Sequence, residues 1–285
     1  MGQVQIKTSQ ANEAVTLHYQ DIGKGQPVVL IHGWPLTHDM WEYQINDLVD
    51  AGYRVIAYDR RGFGESSKPY NGYDYDTLTD DLKEILDQLD LRDVVLIGFS
   101  MGGGEVARYF SRHNGERVSR AVLIGSVTPY MLKTEDNPNG VPQEVFDEML
   151  KDMKNDRIGF LDEFGKKFFG VTLINKPVST PLLDYYRMLG SMASARATQE
   201  CAKSFASTDF RDDMDAINVP TLIIHGDADK TVPIGATGDQ ASQMITDCKY
   251  IRYEGSPHGL FYTDKERLNK DLIAFIREAV PSTVY

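Results

Sequence analysis

Residues 94–110 constrain this chain more than any other stretch. An apolar run, Val94-Val95-Leu96-Ile97, leads into Gly98-Phe99-Ser100-Met101-Gly102, and Gly103-Gly104-Glu105-Val106-Ala107-Arg108-Tyr109-Phe110 follows with helical spacing. The apolar run has strand length, so the glycine–serine–glycine segment must turn a strand directly into a helix. Such a turn is sharp and strained, and it lifts the serine hydroxyl above the edge of a sheet. The flanking glycines are needed because a Cβ at either one would collide with the neighbouring strand and helix. As a bare pattern the motif is weak, and its strand–turn–helix setting is what gives it weight.

The surrounding sequence supplies a sheet for that turn. Val28-Val29-Leu30-Ile31 reads as a buried strand ending at His32-Gly33-Trp34-Pro35. Asp39 to Val49 can form a helix, and Arg54 to Tyr58 the next strand, before the turn-rich Asp59-Arg60-Arg61-Gly62-Phe63-Gly64. The stripe Leu78, Leu82, Ile85, Leu86 and Leu89 predicts a helix from Thr77 to Leu89. Ala121 to Ile124 is a further strand. Alternation of this kind predicts an α/β fold with a mostly parallel sheet flanked by helices on both faces. From about Thr128 to Val219 the rhythm breaks into helical patterns rich in Phe and Met. It returns with strands at Thr221–Ile224 and Tyr250–Tyr253 and a last helix from Lys265 to Glu278. The expected organisation is a core of residues 1–128 and 219–285, with a helical cap, residues 129–218, inserted in it. A chain of 285 residues has room for one such domain.

A serine hydroxyl is a poor nucleophile until a base takes its proton and a third group orients that base. Six histidines are available: His18, His32, His38, His113, His225 and His258. Only His258 follows the last predicted strand, in the loop Gly255-Ser256-Pro257-His258-Gly259. Ile223-Ile224-His225-Gly226-Asp227-Ala228-Asp229 offers two candidate acids, Asp227 and Asp229. The order Ser, Asp, His is the one an elbow of this type uses. The amide of Met101 follows the nucleophile and is expected to donate to an oxyanion. His32 reads as a loop brace, and Asp59 as the ion-pair partner of its arginine neighbours. Phe160, Phe164 and Phe168 recur at helical spacing in the cap, alongside Phe146, Phe169, Met188, Met192 and Phe205, and most of these should form the cap's own core. A cap must also roof the nucleophile. Trp34, Val127, Phe164, Phe168, Phe205 and Val232 are therefore the expected walls of an apolar substrate pocket.

Several function classes are disfavoured. A net charge of −12 argues against nucleic acid and anionic membrane surfaces as partners. No apolar run approaches the length of a membrane span, and the N-terminus lacks the basic region and apolar core of a signal peptide. Cys201 and Cys248 are far apart and read as free thiols, so a reducing, cytoplasmic location is expected. No metal-ligand spacing and no phosphate loop occurs, and catalysis is expected to need no metal and no cofactor.

His32-Gly33-Trp34-Pro35, Asp59 to Gly64, Gly98 to Gly104, His225 to Asp229 and Pro257-His258-Gly259 together resemble an α/β-hydrolase. More closely, they resemble the cofactor-free (non-haem) haloperoxidase and aryl esterase family. The resemblance implies Asp229 as the acid, with Asp227 holding the turn, and the Trp34 amide as the second oxyanion donor. It implies a serine hydrolase acting on small carboxylic esters through an acyl-enzyme, with Ser100, His258 and Asp229 as the triad. It further implies perhydrolase activity, in which hydrogen peroxide replaces water and the peracid formed oxidises chloride or bromide. Pro35 points the same way by constraining the Trp34 carbonyl, a group able to accept a hydrogen bond from peroxide. Relatives of this kind imply a homo-oligomer. A hydrolase-fold protein that binds a ligand with little turnover is the alternative.

Overall fold

The computed structural model describes residues 1–6 and 14–278. Its strands are β1 (Gly2–Ile6), β2 (Val15–Gly23), β3 (Pro27–Ile31), β4 (Arg54–Tyr58), β5 (Val94–Phe99), β6 (Val118–Ile124), β7 (Thr221–Gly226) and β8 (Cys248–Tyr253). They form one sheet in the order β1-β2-β4-β3-β5-β6-β7-β8. β1 pairs antiparallel with β2, and β2 with β4, while every later pairing is parallel. The antiparallel edge was not anticipated. Its strands bury alternate residues (Val4 and Ile6, Val15 and Leu17) and so lack the unbroken apolar runs that mark the central strands.

The central runs are apolar throughout because both faces of the sheet are covered. Val28, Leu30, Val95 and Ile97 pack on one face against α1 (Glu42–Asp50) and α10 (Lys265–Arg277). Val29, Ile31 and Leu96 pack on the other against α2 (Tyr75–Gln88) and α3 (Met101–His113). α2 begins where the Asp74 side chain accepts the Thr77 N–H at 2.9 Å, a local cap that fixes its start.

Between β6 and β7 the chain forms α4 (Gln143–Phe168), α5 (Thr180–Ser191), α6 (Ala195–Ser207) and the short α7 (Arg211–Met214). None of this segment joins the sheet. α4 is two helical pieces, because Asp156 sits at φ −150°, ψ 88° and its carboxylate accepts the Gly159 N–H, capping the second piece. After β7, the seven-residue α8 (Gly238–Met244) packs on that strand, and α9 (Leu260–Thr263) precedes α10. Among the described residues no helix is long and apolar enough to cross a membrane.

Candidate active site

The sheet brings its chemistry to one edge, the carboxyl ends of the parallel strands. Ser100 follows β5, the His32–Pro35 loop follows β3, Asp229 lies in the loop after β7, and His258 lies between β8 and α9. Ser100 adopts φ 53°, ψ −118°, a strained conformation for a residue with a Cβ. The strain is imposed by crowding: a Cβ on Gly98 would press into the Gly102 backbone, and one on Gly102 would come to 2.5 Å from the Ile31 carbonyl oxygen.

His258 Nδ1 lies 2.5 Å from Asp229 Oδ2, and His258 Nε2 lies 2.9 Å from Ser100 Oγ. A carboxylate only accepts, so Nδ1 carries the proton and the Nε2 lone pair faces the serine hydroxyl. The other carboxylate oxygen, Oδ1, accepts the backbone N–H groups of Thr231 and Val232, each at 2.8 Å. Burial opposes ionisation of Asp229, but His258 and His225 outweigh it and hold the carboxyl well below the usual range. The imidazole is wedged between Phe99 and Phe168, each ring centred 4.8 Å from it. Asp227 turns away and accepts the Gly255 N–H at 2.7 Å.

Beside the hydroxyl, the amides of Trp34 and Met101 have no acceptor among the described residues. The Trp34 loop is braced from below. The Arg60 backbone N–H donates to His32 Nε2 at 3.0 Å, which leaves Nδ1–H to donate to the Gly33 carbonyl at 2.9 Å. That carbonyl belongs to the same peptide unit as the Trp34 N–H, so fixing one end orients the other. Burial, with help from the Arg60 guanidinium, lowers the His32 pKa to about 3, and the ring is neutral. The guanidinium itself donates to the His32 carbonyl at 2.7 Å and to Glu105 of α3 at 2.6 Å, tying the loop to the helix that follows Ser100. Asp59 does not pair with the arginines beside it. It binds the His38 ring at 2.8 Å, while Arg61 reaches Asp81, because successive side chains leave the end of β4 in different directions.

Ser100 opens into a cavity of about 310 Å³. Of the residues expected in its walls, Trp34, Val127, Phe164, Phe205 and Val232 line it, joined by Met131, Val145, Phe146, Met149 and Phe160. Phe168 does not: it is on the last turn of α4, where it packs beneath His258 instead. Met188 and Met192 point outward and are 51% and 38% exposed, so they belong neither to the cavity nor to a buried core. The Trp34 indole is the hub of the walls, 5.1 Å from Phe164 and 5.5 Å from Phe205, and its N–H donates to the Thr198 carbonyl of α6 at 2.9 Å. His225 was available in the sequence but had no role there; only the fold puts its ring against Asp229, at 3.3 Å.

A family model described as alpha/beta hydrolase fold matches residues 26–265. A non-heme chloroperoxidase of Kitasatospora aureofaciens is 42% identical over 268 residues, 93% of this chain and 98% of that protein. A bifunctional esterase/perhydrolase of Acinetobacter calcoaceticus is 38% identical over 280 residues, 97% of this chain and 100% of that protein. Among solved structures, a bromoperoxidase from Bacillus anthracis is similar with a TM-score of 0.93 and 45% identity, covering 97% of this chain and 99% of that one.

Proposed function

The chain belongs to the alpha/beta hydrolase family, and from that premise we propose that it is a serine esterase with perhydrolase activity, working through Ser100, His258 and Asp229. The observation that carries the reading is the unbroken line from the Asp229 carboxylate through the His258 ring to a serine hydroxyl that opens into a mostly apolar cavity, whose lining also includes Glu148, Asp152, Glu163, Lys167 and Lys230. Ser100 Oγ attacks the ester carbonyl carbon while its proton passes to His258 Nε2. Negative charge gathers on the carbonyl oxygen, where the free amides of Trp34 and Met101 can stabilise it. His258 then gives its proton to the departing alkoxide or phenoxide, leaving an ester of Ser100. Water attacks that ester with His258 again taking the proton, and Ser100 is restored as the acid leaves. Throughout, Asp229 holds the imidazole in one tautomer and stabilises its cation.

Residues 129–218 act in this reading as a cap whose aromatic walls receive an apolar acyl or aryl group. The perhydrolase step replaces water by hydrogen peroxide, so that the acyl group leaves as a peracid. Its support is the likeness to the chloroperoxidase and the esterase/perhydrolase, together with a Trp34 carbonyl that accepts no hydrogen bond among the described residues.

Stopped-flow hydrolysis of p-nitrophenyl acetate tests both steps. A burst near one equivalent, absent in Ser100→Ala, with steady-state turnover down by about 10⁴-fold or more, is the expected result. Faster turnover when peroxide is added, with Pro35→Leu shifting the partition between water and peroxide, supports perhydrolysis. Full activity in Ser100→Ala would overturn Ser100 as the nucleophile and with it the triad reading, and absence of turnover with any ester would leave a binding protein.

A further inference from the structure

We infer that His225 is a positioning residue for Asp229, placing a second ring N–H beside the same carboxylate oxygen that His258 uses. The inference rests on the reading of Asp229 as the acid of the triad. His225 lies in β7 and is fully buried. Its Nε2 is 3.0 Å from the Val232 carbonyl oxygen and 3.3 Å from Asp229 Oδ2. Both neighbours are acceptors, so Nε2 bears the proton; it donates to the Val232 carbonyl, and Asp229 Oδ2 lies beside the same N–H at ion-pair distance. Nδ1 has no partner among the described residues, and it faces Gly238, where a Cβ would come within 2.9 Å. Leaving a ring nitrogen unpaired in the core is costly. What the ring provides in return is entirely on its Nε2 side.

The carboxylate of Asp229 is thereby closed on four sides. Oδ1 takes the amides of Thr231 and Val232, Oδ2 takes His258, and the His225 ring stands 3.3 Å from Oδ2 on the remaining side. Val232 meets both groups, giving its N–H to Asp229 and its carbonyl to His225. The plane of the carboxylate is therefore locked to β7 before His258 arrives. A second ring N–H beside Oδ2 also takes up part of the carboxylate's charge, making Asp229 a weaker partner for the imidazolium. Among the described residues, the titratable groups that act most strongly on Asp229 are His258 and His225. On the elements packed nearby, Asp239 of α8 turns to Tyr250 and Arg252, and Asp227 turns to the Gly255 amide.

The test is the pH dependence of kcat/KM for p-nitrophenyl acetate in the full chain, its His225→Gln and His225→Leu variants, and Ser100→Ala. The amide of glutamine can occupy the Nε2 position, whereas leucine fills the space without a donor. His225→Leu should lower kcat about tenfold with KM within about twofold, and move the acidic limb to higher pH by about half a unit or more. His225→Gln should keep the limb of the parent and recover most of kcat. In the same proteins the low-field proton resonance of His258 Nδ1 should shift in His225→Leu and remain near its parent position in His225→Gln. Should H225L not fold, His225→Asn, whose amide is too short to reach Asp229, is read by the same criteria. A folded H225L with the parent's acidic limb, or equal losses in the leucine and glutamine variants, would overturn the inference. Undiminished activity in Ser100→Ala would instead overturn the triad reading beneath it.

Discussion

At the strand ends, Ser100, Asp229 and His258 are held by backbone that has no room to lie elsewhere. In the inserted helices, Phe160, Phe164 and Phe205 are held by one another and by Trp34. Gly98 and Gly102 touch the main chain of α3 and β3, and main chain cannot repack. Aromatic rings 5–6 Å apart can exchange rotamers and volumes at modest cost. The two halves meet at Trp34, whose amide belongs to the loop after β3 and whose indole is bonded to Thr198 of α6. The difference separates tasks. Reacting atoms need tolerances of a fraction of an ångström, whereas a pocket for an apolar group needs only volume and dryness.

The largest break in this contrast is expected from Gly98→Ala. The new Cβ would overlap the Gly102 carbonyl and the Gly103 amide, neither of which is the end of a flexible side chain. Loss of at least about 3 kcal/mol of stability and of essentially all esterase activity should follow, measured by urea unfolding and p-nitrophenyl acetate turnover. Retention of both would show that the elbow has slack.

The rigid half also carries a pH signature. His32, with its pKa lowered to about 3, stays neutral in the folded chain, whereas the unfolded chain takes up a proton near pH 6.5. Its contribution is therefore complete above pH 6.5 and is lost as pH falls toward 3, by about 1.4 kcal/mol per unit. Asp81, its carboxyl pushed up to about 6 by burial in spite of Arg61, acts in the opposite sense below pH 6. The effect of His32 is therefore read as the difference in slope of urea stability between the parent and His32→Gln from pH 7 to 4.5. Equal slopes would remove His32 from the account.

In the pliable half, Phe164→Ala opens the wall facing the Trp34 indole. The expected outcome is a shift of about 5–20-fold in kcat/KM toward longer acyl chains relative to acetate, with acetate turnover changed little. Unchanged selectivity from acetate to octanoate would mean that the walls follow the core as closely as the elbow does.

Legibility in the sequence follows the same division. The run Val94–Ile97 and the turn after it could be read because burial on both faces and backbone crowding each leave a mark on residue type. Position after strands narrows the histidine to His258 and the acid to Asp227 or Asp229, and only the family resemblance selects Asp229. The walls were legible only in composition. Phe160, Phe164 and Phe168 share a helical stripe, but the fold divides them between the cavity and the underside of His258. The break at Asp156 is hidden inside a continuous helical pattern. Asp59 choosing His38 over adjacent arginines, and His225 reaching Asp229, depend on tertiary directions that no local spacing encodes.

Gly165 gives the contrast its mildest and cleanest test, because it sets a glycine of the helices against a glycine of the elbow. It lies in the second piece of α4, and a Cβ added there would meet nothing within 4 Å. Nothing requires glycine at that position, and its backbone freedom counts only against the helix. Gly165→Ala should stabilise the protein by about 0.5–1 kcal/mol, raising Tm by roughly 1–3 °C while acetate turnover is unchanged. The same one-carbon change is expected to abolish function at Gly98, so its sign at Gly165 reports whether the inserted helices are dictated by contact or only filled by it. A fall in Tm would place α4 under constraints as strict as those of the strand ends, and selectivity would then have to be sought in Trp34 and the loop that carries it.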